Sequence, residues 1–254
     1  MKTPLPGKSA GSENFPVGSW LLPVRLRPHV SIFYNFARAA DEIADTPDLP
    51  PEEKIHRLNH FENVLLGYEQ DGDAWAVVRM RDSLAITGGS SRHCLDLLAA
   101  FRQDATKNRY RNWAELIAYC RLSAAPVGRY MIDLHGGPVS GYGSSDALCI
   151  ALQIINHVQD FGDDFRVLDR IYLPADWMAE AGVSDQELAG EASSPALRRV
   201  LNWTLDGVES LLADCQNLTK VLNSSRLGIE SAVIIAIAAG LTKKLFLNDP
   251  LSGR

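Results

Sequence analysis

Two segments of this 254-residue chain carry polar residues at the spacing of one helix face within otherwise apolar sequence. In the first, near residues 27–45, the polar positions follow at i, i+4, i+7 and i+11: Tyr34, Arg38, Asp41 and Asp45. This spacing places the four side chains on one face of an α-helix. Much of the remaining helix surface is apolar: Ile32, Phe33, Phe36, Ala40 and Ile43. The stripe is either the solvated face of an amphipathic helix or a polar site that faces the interior.

The second segment, near residues 144–163, favours the interior site. After an almost wholly apolar start, polar residues follow at i, i+3, i+7 and i+11: Gln153, Asn156, Asp160 and Asp164. A helix that is apolar on most sides is buried, so its polar groups must be paired or bind something. Buried carboxylates raise each other's pKa unless a cation lies between them. If the two helices face each other, four aspartates and one asparagine surround a cavity.

This set of side chains is suited to magnesium. Carboxylate and amide oxygens are hard donors, and Mg²⁺ held by few carboxylates keeps positions for water and substrate phosphates. Arg38 can bind the same anion with two parallel hydrogen bonds. The expected ligand is a diphosphate, and apolar cavity walls predict a hydrocarbon for the rest of the substrate. Loss of the diphosphate would leave a carbocation, which a dry pocket with aromatic faces such as Tyr34 and Tyr119 tolerates.

The rest of the sequence predicts one all-α domain, residues 1–254, with residues 1–13 flexible. Strand signals are nearly absent, and helical periodicity recurs near 27–45, 51–68, 73–87, 91–107, 112–135, 144–163, 195–222 and 226–247. Asp73 and Ser90 or Ser91 are candidate helix caps, and Gly88 is a candidate stop. Gly136-Gly137-Pro138 is expected to end the fifth helix, and Ser144-Ser145-Asp146 to start the sixth. Residues 165–193 form the longest irregular connection, which could cover a site.

Composition excludes several classes of protein. The net charge of 25 − 31 = −6 provides no basic face for nucleic acid. The four cysteines are widely spaced, which favours scattered buried thiols in a reducing compartment over a zinc site or a disulfide framework. The N-terminus has no apolar core of a signal peptide, and the longest apolar run, 232–241, is half of a membrane span. We therefore expect a cytoplasmic protein, with peripheral contact at the inner face of a membrane left open.

Two further segments bear on the pocket. Tyr119 to Gly128 contains Pro126, which predicts a kink that is either an ordinary feature of a helical bundle or a place where small residues approach a ligand. The C-terminal helix, Arg226 to Leu247, is apolar over most of its length and carries Lys243-Lys244 near its end. It is either a core helix or a pocket wall whose basic end lies near a membrane.

The two stripes resemble the aspartate motifs of the squalene/phytoene synthase family. Ala40 to Asp45 resembles the first motif, DxxxD, preceded by Arg38, and Gln153 to Asp164 resembles the second, QxxNxxxDxxxD. The resemblance covers nearly the whole chain, since four shorter elements stand in the family's order: Asn14-Phe15-Pro16, Leu21-Leu22-Pro23, Tyr119 to Gly128 and Tyr172-Leu173-Pro174. One DxxxD is a weak signal, whereas the ordered set is specific.

The resemblance implies a fold, a metal site and residue roles. The fold is the isoprenoid-synthase helical bundle with a central hydrophobic cavity, and the site holds three Mg²⁺ with diphosphate. Asp41, Asp45, Asn156, Asp160 and Asp164 would bind magnesium, and Arg38 would bind diphosphate. Tyr34, Tyr119, Asp41 and Asp160 would be catalytic. The remaining residues implied to contact substrate are Asn14, Phe15, Val127, Gly128, Gln153 and Asn156.

Departures from the family pattern indicate a branch. Most members have arginine where this chain has Gln159, and a basic, hydroxylic cluster where it has Glu13-Asn14, which would weaken the grip on a second diphosphate. The segments Glu13 to Trp20, Asn156 to Asp160 and Arg38 to Asp41 look most like the bacterial hopanoid-pathway branch HpnC. That branch converts presqualene diphosphate and water into hydroxysqualene and diphosphate, and association with the enzyme that makes presqualene diphosphate is left open. No GxGxxG is present, so no nicotinamide cofactor is expected.

The sequence gives weaker support to three other functions. Condensation of two farnesyl diphosphates to presqualene diphosphate, squalene or dehydrosqualene needs anchors for two diphosphates. A non-catalytic assembly factor of the same fold would have lost the aspartates, which are intact here. A di-metal oxidase needs two ExxH helices, and only Glu53 to His56 has that form. His157, beside Asn156, is expected to be packed or hydrogen-bonded rather than catalytic.

Overall fold

The computed structural model describes residues 22–70, 72–222 and 224–252. Asn14, Phe15 and the predicted flexible segment 1–13 lie outside these ranges. The described ranges contain these α-helices: α1 (Arg27–Asp45), α2 (Pro51–Leu66), α3 (Trp75–Thr87), α4 (Arg92–Asp104), α5 (Trp113–Ser123), α6 (Ala125–Leu134), α7 (Tyr142–Leu168), α8 (Ala175–Ala181), α9 (Pro195–Asp214), α10 (Leu218–Val221) and α11 (Ser225–Leu247). Short 3₁₀ turns cover Val139–Gly141 and Asp185–Ala189.

The all-α prediction is confirmed. Within the described ranges the only β-type pairing is an isolated parallel bridge between Arg109 and Ile171. The bounds of α1 are those predicted. Gly88 and Gly136 follow their helices with positive φ angles of 68° and 66°, as expected for glycines that end a helix.

Several predicted helix boundaries were wrong. The segment 112–135 divides into α5 and α6 at Ala124 (φ −121°, ψ −47°), because Pro126 has no N–H to continue the hydrogen-bonding pattern. The segment 195–222 divides into α9 and α10. Ala74, not Asp73, stands at the N-cap of α3. At α4 the Ser91 side chain makes no cap bond, whereas Ser90 Oγ accepts a hydrogen bond from the Arg92 N–H at 3.1 Å, so the Ser90 alternative is confirmed.

The helix of the second stripe, α7, is longer than predicted at both ends. It starts at Tyr142, before the expected serines, and continues to Leu168. Arg166 holds its last turn by donating to Asp163 and to the carbonyls of Ala189 and Gly190. All four polar residues of the second stripe therefore lie within one continuous helix, and the irregular connection is shorter than predicted.

The interior consists of two hydrophobic clusters. The first joins α1, α2, α3 and α4, with Phe36, Leu58 and Met80 among its fully buried side chains and Tyr130 of α6 packed into it. The second surrounds α7 and includes α5, α9 and α11, with Ile154, Ile155 and Phe161 at its centre. Hence α1 and α7, the helices with the polar stripes, are core helices of the two clusters.

The C-terminal helix α11 is only partly a core helix. Leu227, Ala238 and Leu245 are buried, whereas Ile229, Val233 and Ile237 are 56%, 48% and 39% exposed. These three residues are four apart and share one face. No described helix is long and apolar enough to cross a membrane.

The free cysteines are buried or half-buried, as expected: Cys94, Cys120, Cys149 and Cys215.

A cavity of about 270 Å³ lies beside α3 and α6. Its lining is mostly polar or glycine: Thr87, Gly88, Gly89, Ser90, His93, Tyr130, Asp133, Leu134 and Gly137. This lining contains no residue of either stripe, so the cavity differs from the expected hydrocarbon pocket, which stays a prediction.

Candidate active site

The first stripe is a charged cluster on α1. Arg38 donates to Asp41 Oδ2 at 2.8 Å, and its guanidinium also lies 3.6 Å from Glu42. Burial and the nearby Asp45 carboxylate raise the pKa of Asp41 to about 7, and this happens despite the opposing charge of Arg38. The repulsion predicted for the aspartates of this stripe is therefore present, with a built-in arginine that offsets only part of it.

A second cation, Arg170, reaches this cluster from the far end of α7. Its guanidinium donates to Asp45 Oδ1 at 2.6 Å, to the Ala44 carbonyl at 3.3 Å and to the Asp104 carbonyl at 3.0 Å. The residue is only 6% exposed. Arg170 thus ties the end of α1 to the end of α4 and supplies positive charge beneath the first stripe.

Backbone pairing explains how Arg170 arrives there. After α7, Asp169 adopts a left-handed conformation (φ 52°), which aspartate tolerates, and the chain turns back. The next residues run along the α4–α5 connection, where the Ile171 N–H donates to the Asn108 carbonyl and the Ala175 N–H to the Tyr110 carbonyl, both at 2.9 Å. Arg109 bonds the side chain of Asp169 at 2.7 Å.

Asp104, the last residue of α4, is a buried carboxyl beside Arg170. The Tyr119 hydroxyl donates to its Oδ2 at 2.9 Å, and the Tyr172 hydroxyl also helps to lower its pKa. Burial nevertheless raises the pKa of Asp104 to about 6, because it outweighs the two tyrosine hydroxyls and the nearby charge of Arg170, which all lower this pKa. Its other oxygen, Oδ1, is buried and has no hydrogen-bond partner within the described ranges.

Three tyrosines and a histidine form an aromatic cluster around Asp104. The ring centroids of Tyr110, Tyr119 and Tyr172 lie 5.1 to 5.7 Å apart, and His157 stacks on Tyr172 at 3.5 Å. His157 Nε2 lies 3.2 Å from the amide nitrogen of Gln153. His157 is therefore packed and hydrogen-bonded, as predicted. Tyr119 is buried in this aromatic cluster, and its place in a substrate pocket stays a prediction.

The second stripe runs along α7 and is half-buried rather than fully buried as the sequence suggested. Gln153, Asn156, Asp160 and Asp164 all have intermediate exposure, while the flanking Ile155, His157 and Val158 are buried. Burial raises the pKa of Tyr172, and the Asp104 and Asp164 carboxylates raise it further. Contacts join this cluster to both stripes, because Arg170 bonds both Asp45 and the Asp104 carbonyl, and His157, stacked on Tyr172, lies beside Gln153.

The remaining predicted residues have separate environments. Tyr34 is half-buried on α1, and Val127 packs on the first cluster. Gly128 contacts α7, because a Cβ there would lie 2.2 Å from Ser145 Oγ and 2.7 Å from Cys149 Sγ. A helix–helix contact therefore accounts for this glycine without a ligand.

The donor set of the two stripes fits magnesium. Among the described residues, no three histidine, cysteine, aspartate or glutamate side chains form a metal site by themselves. Mg²⁺ is commonly held by one or two carboxylates together with substrate phosphates, so it needs no such cluster. Burial, and after it the Asp45 carboxylate, raises the pKa of Asp41, and a divalent cation bound there would favour the ionised form.

Sequence reasoning missed Arg170, Asp104 and Tyr110. Arg170 immediately precedes an apolar run, Ile171 to Leu173, and could have been flagged as a charge entering the interior. Asp104 follows the apolar face of α4 at Leu97, Ala100 and Phe101 in helical spacing. Only the tertiary fold shows that both meet the first stripe.

Comparisons with known proteins show what this chain is similar to. A sequence model of the squalene/phytoene synthase family matches residues 8–251. The chain is 46% identical to a hydroxysqualene synthase of Rhodopseudomonas palustris, over 98% of this chain and 84% of the relative. It is 41% identical to that of Zymomonas mobilis, with the same coverage.

A solved structure also matches. The squalene synthase HpnC from Alicyclobacillus acidocaldarius superposes with a TM-score of 0.78 at 26% identity, covering 90% of this chain and 86% of that one. A dehydrosqualene synthase structure, at 20% identity and a TM-score of 0.74, shares the fold. The chain belongs to the squalene/phytoene synthase family.

Proposed function

We propose that this enzyme is a hydroxysqualene synthase, which converts presqualene diphosphate and water into hydroxysqualene and diphosphate. The observation that carries the proposal is the 41–46% identity to hydroxysqualene synthases over nearly the whole chain. The site is consistent with it, since both acidic stripes are intact and border an interior aromatic cluster.

The first step to explain is departure of the diphosphate. Magnesium, when bound by Asp41, Asp45, Asn156, Asp160 and Asp164, would supply positive charge to the leaving diphosphate. Arg38 lies one helical turn from Asp41 and can donate hydrogen bonds to the same anion. Arg170 holds Asp45 in place from below.

The second step is survival of the carbocation until water captures it. The rings of Tyr119 and Tyr172 present π-electron faces that attract a cation. Burial of both rings and of Ile155 and Val158 keeps bulk water away. Tyr34, one turn before Arg38 on α1, is proposed to line the same pocket.

The rival reaction joins two farnesyl diphosphates. It requires positive charge for a second diphosphate, and the uncharged Gln159 stands immediately before Asp160. The decisive assay incubates the protein with Mg²⁺, without NADPH, and either presqualene diphosphate or farnesyl diphosphate. We expect hydroxysqualene from the former, and turnover of farnesyl diphosphate alone would contradict the proposal.

The metal role of the stripes has its own test, which also separates an enzyme from an assembly factor. Asp41→Asn and Asp160→Asn should each lower turnover at least a hundredfold, because each removes a carboxylate from the diphosphate site. Asp48→Asn, at an exposed position just after α1, serves as the control and should be active. Far-UV circular dichroism should show all three variants folded, and retained activity in the first two would refute the site.

We further propose that α11 touches a membrane surface, from which a C30 substrate could enter. The exposed side chains of Ile229, Val233 and Ile237 would insert, and Lys243 and Lys244, exposed near the helix end, would favour anionic lipid. Wild-type protein should co-sediment with anionic vesicles, whereas a variant in which Ile229, Val233 and Ile237 are all replaced by serine should not. Equal sedimentation of both would rule out this face.

Association with the enzyme that makes presqualene diphosphate is also proposed, and co-purification would test it.

A further inference from the structure

We propose that Asp104 and Tyr110 hold the water molecule that captures the carbocation, and that Asp104 Oδ1 receives its proton. The inference rests on the proposed hydroxysqualene synthase function and deepens it, because that reaction needs one water molecule in an otherwise dry pocket.

Two unsatisfied polar atoms in one cluster point to this water. Asp104 is 6% exposed and Tyr110 is 1% exposed. Asp104 Oδ1 and the Tyr110 hydroxyl each have no hydrogen-bond partner among the residues that the structure describes. Buried polar groups without partners are uncommon in proteins, and an ordered water is the usual partner when protein groups are lacking.

Tyr119 joins the two groups into one cluster. Among charged groups, Asp104 has the largest electrostatic effect on Tyr110, and the rings of Tyr110 and Tyr119 are 5.1 Å apart. Tyr119 in turn bonds Asp104 Oδ2 at 2.9 Å. One water that donates to Asp104 Oδ1 and bonds the Tyr110 hydroxyl would satisfy both atoms.

The position of the cluster suits the reaction, because contacts join it to both stripes. Arg170 bonds Asp45 of the first stripe at 2.6 Å and the Asp104 carbonyl at 3.0 Å. On the other side, His157 stacks on Tyr172 and lies 3.2 Å from the amide nitrogen of Gln153 in the second stripe. A cation formed where the diphosphate departs would therefore lie near the aromatic cluster and its water.

Other groups in the cluster are already engaged. Tyr119 donates its hydroxyl proton to Asp104, and His157 Nε2 is in contact with the Gln153 amide. The carboxylate oxygen Asp104 Oδ1 is an acceptor without a described partner. It is thus the group able to accept a proton from water.

The step balances without any further reactant. A lone pair of the water oxygen forms the new C–O bond to the cationic carbon. The O–H bond to the side of Asp104 breaks, its electrons stay on oxygen, and the proton passes to Asp104 Oδ1. The products are the neutral alcohol and a protonated carboxyl, which later returns its proton to solvent or diphosphate.

The test measures hydroxysqualene formed per diphosphate released from presqualene diphosphate. Tyr110→Phe removes only the hydroxyl, which makes no protein hydrogen bond in the described chain, so this variant should fold. We expect its ratio to fall at least fivefold, with unsaturated hydrocarbons formed by proton loss instead. Asp104→Asn, which cannot take the proton, should lower the ratio further.

Tyr130→Phe is the matched control, because its hydroxyl bonds the His29 carbonyl within the other hydrophobic cluster. Its ratio should equal that of the wild type. An unchanged ratio in Tyr110→Phe and Asp104→Asn would overturn the inference, as would a parallel loss of both products, which indicates a structural role. If the wild type released diphosphate but formed no hydroxysqualene, the proposed function itself would be wrong, whatever the effect of the variants.

A crystal structure of the wild type gives an independent readout. We expect a water within hydrogen-bond distance of Asp104 Oδ1 and the Tyr110 hydroxyl, lost in Tyr110→Phe. Absence of that water from a well-ordered wild-type site would overturn the inference even if the proposed reaction stands.

Discussion

Replacement of Arg170 by methionine should destabilise the fold substantially. Methionine keeps much of the side-chain volume but removes the donor to Asp45 Oδ1 and to the carbonyls of Ala44 and Asp104. Removing one partner of a buried ion pair costs about 3–5 kcal/mol. Because the Asp45 side chain is 38% exposed and can regain water, we expect the lower end, about 3 kcal/mol at pH 8.

The loss should depend on pH. Arg170 lowers the pKa of Asp104, which burial raises to about 6, so the variant should raise this pKa further. The charge of Arg170 therefore contributes most to stability above pH 6, where Asp104 is ionised in the wild type. At pH 5, Asp104 is protonated in both proteins, and the loss should shrink to about 2 kcal/mol.

Urea unfolding followed by circular dichroism measures these values by linear extrapolation. Arg57→Met is the matched control, since Arg57 pairs with Glu53 on the surface of α2 and such pairs contribute below about 1 kcal/mol. Equal losses in the two variants, or an Arg170→Met loss that does not vary between pH 5 and pH 8, would refute the reasoning.

Three further outcomes follow from the described contacts. Gly128→Ala should lose about 1–3 kcal/mol in urea unfolding, because the new Cβ meets Ser145 Oγ, and adding Ser145→Ala should restore part of this loss. Gly240→Ala, in an open part of α11, should instead stabilise by roughly 0.5–1 kcal/mol, and a loss there would contradict the packing argument. The raised pKa values of Asp41 and Asp104 mean that these two carboxyls bind more protons in the folded state than in the unfolded state between about pH 4 and 7, so their contribution to stability should fall as pH rises through this range. Thermal unfolding of the wild type and of Asp104→Asn at a series of pH values checks the sign, since the variant should lose less stability over this range.

Local periodicity predicted the helices that matter most. The bounds of α1 were correct because both its polar stripe and its apolar face, including Phe33 and Phe36, repeat with helical spacing. The break at Ala124 was anticipated only as a kink at Pro126, because sequence shows where a hydrogen bond is lost but not how far the backbone turns.

The partners of the stripes could not be predicted in the same way. Arg170 lies 125 residues from Asp45, and Tyr119 lies 15 residues from Asp104 across a loop. No periodicity links residues in different helices. The resemblance to a family identified which motifs matter, but the neutralising arginine and the buried carboxyl became visible only through tertiary contacts.

The long separation between Asp45 and Arg170 has a consequence for synthesis of the chain. Helices α1 to α4 supply all the buried residues of the first cluster except Tyr130, which α6 adds together with the packing of Val127 and Leu134. At about 5–20 residues per second, Arg170 leaves the ribosome roughly 6–25 seconds after Asp45. Once Tyr130 has emerged, every buried residue of the first cluster has been made, and Arg170 follows 40 residues later. Over that stretch of synthesis the acidic stripe of α1 has not yet met this arginine, so charge compensation at the site is a late event in making the chain.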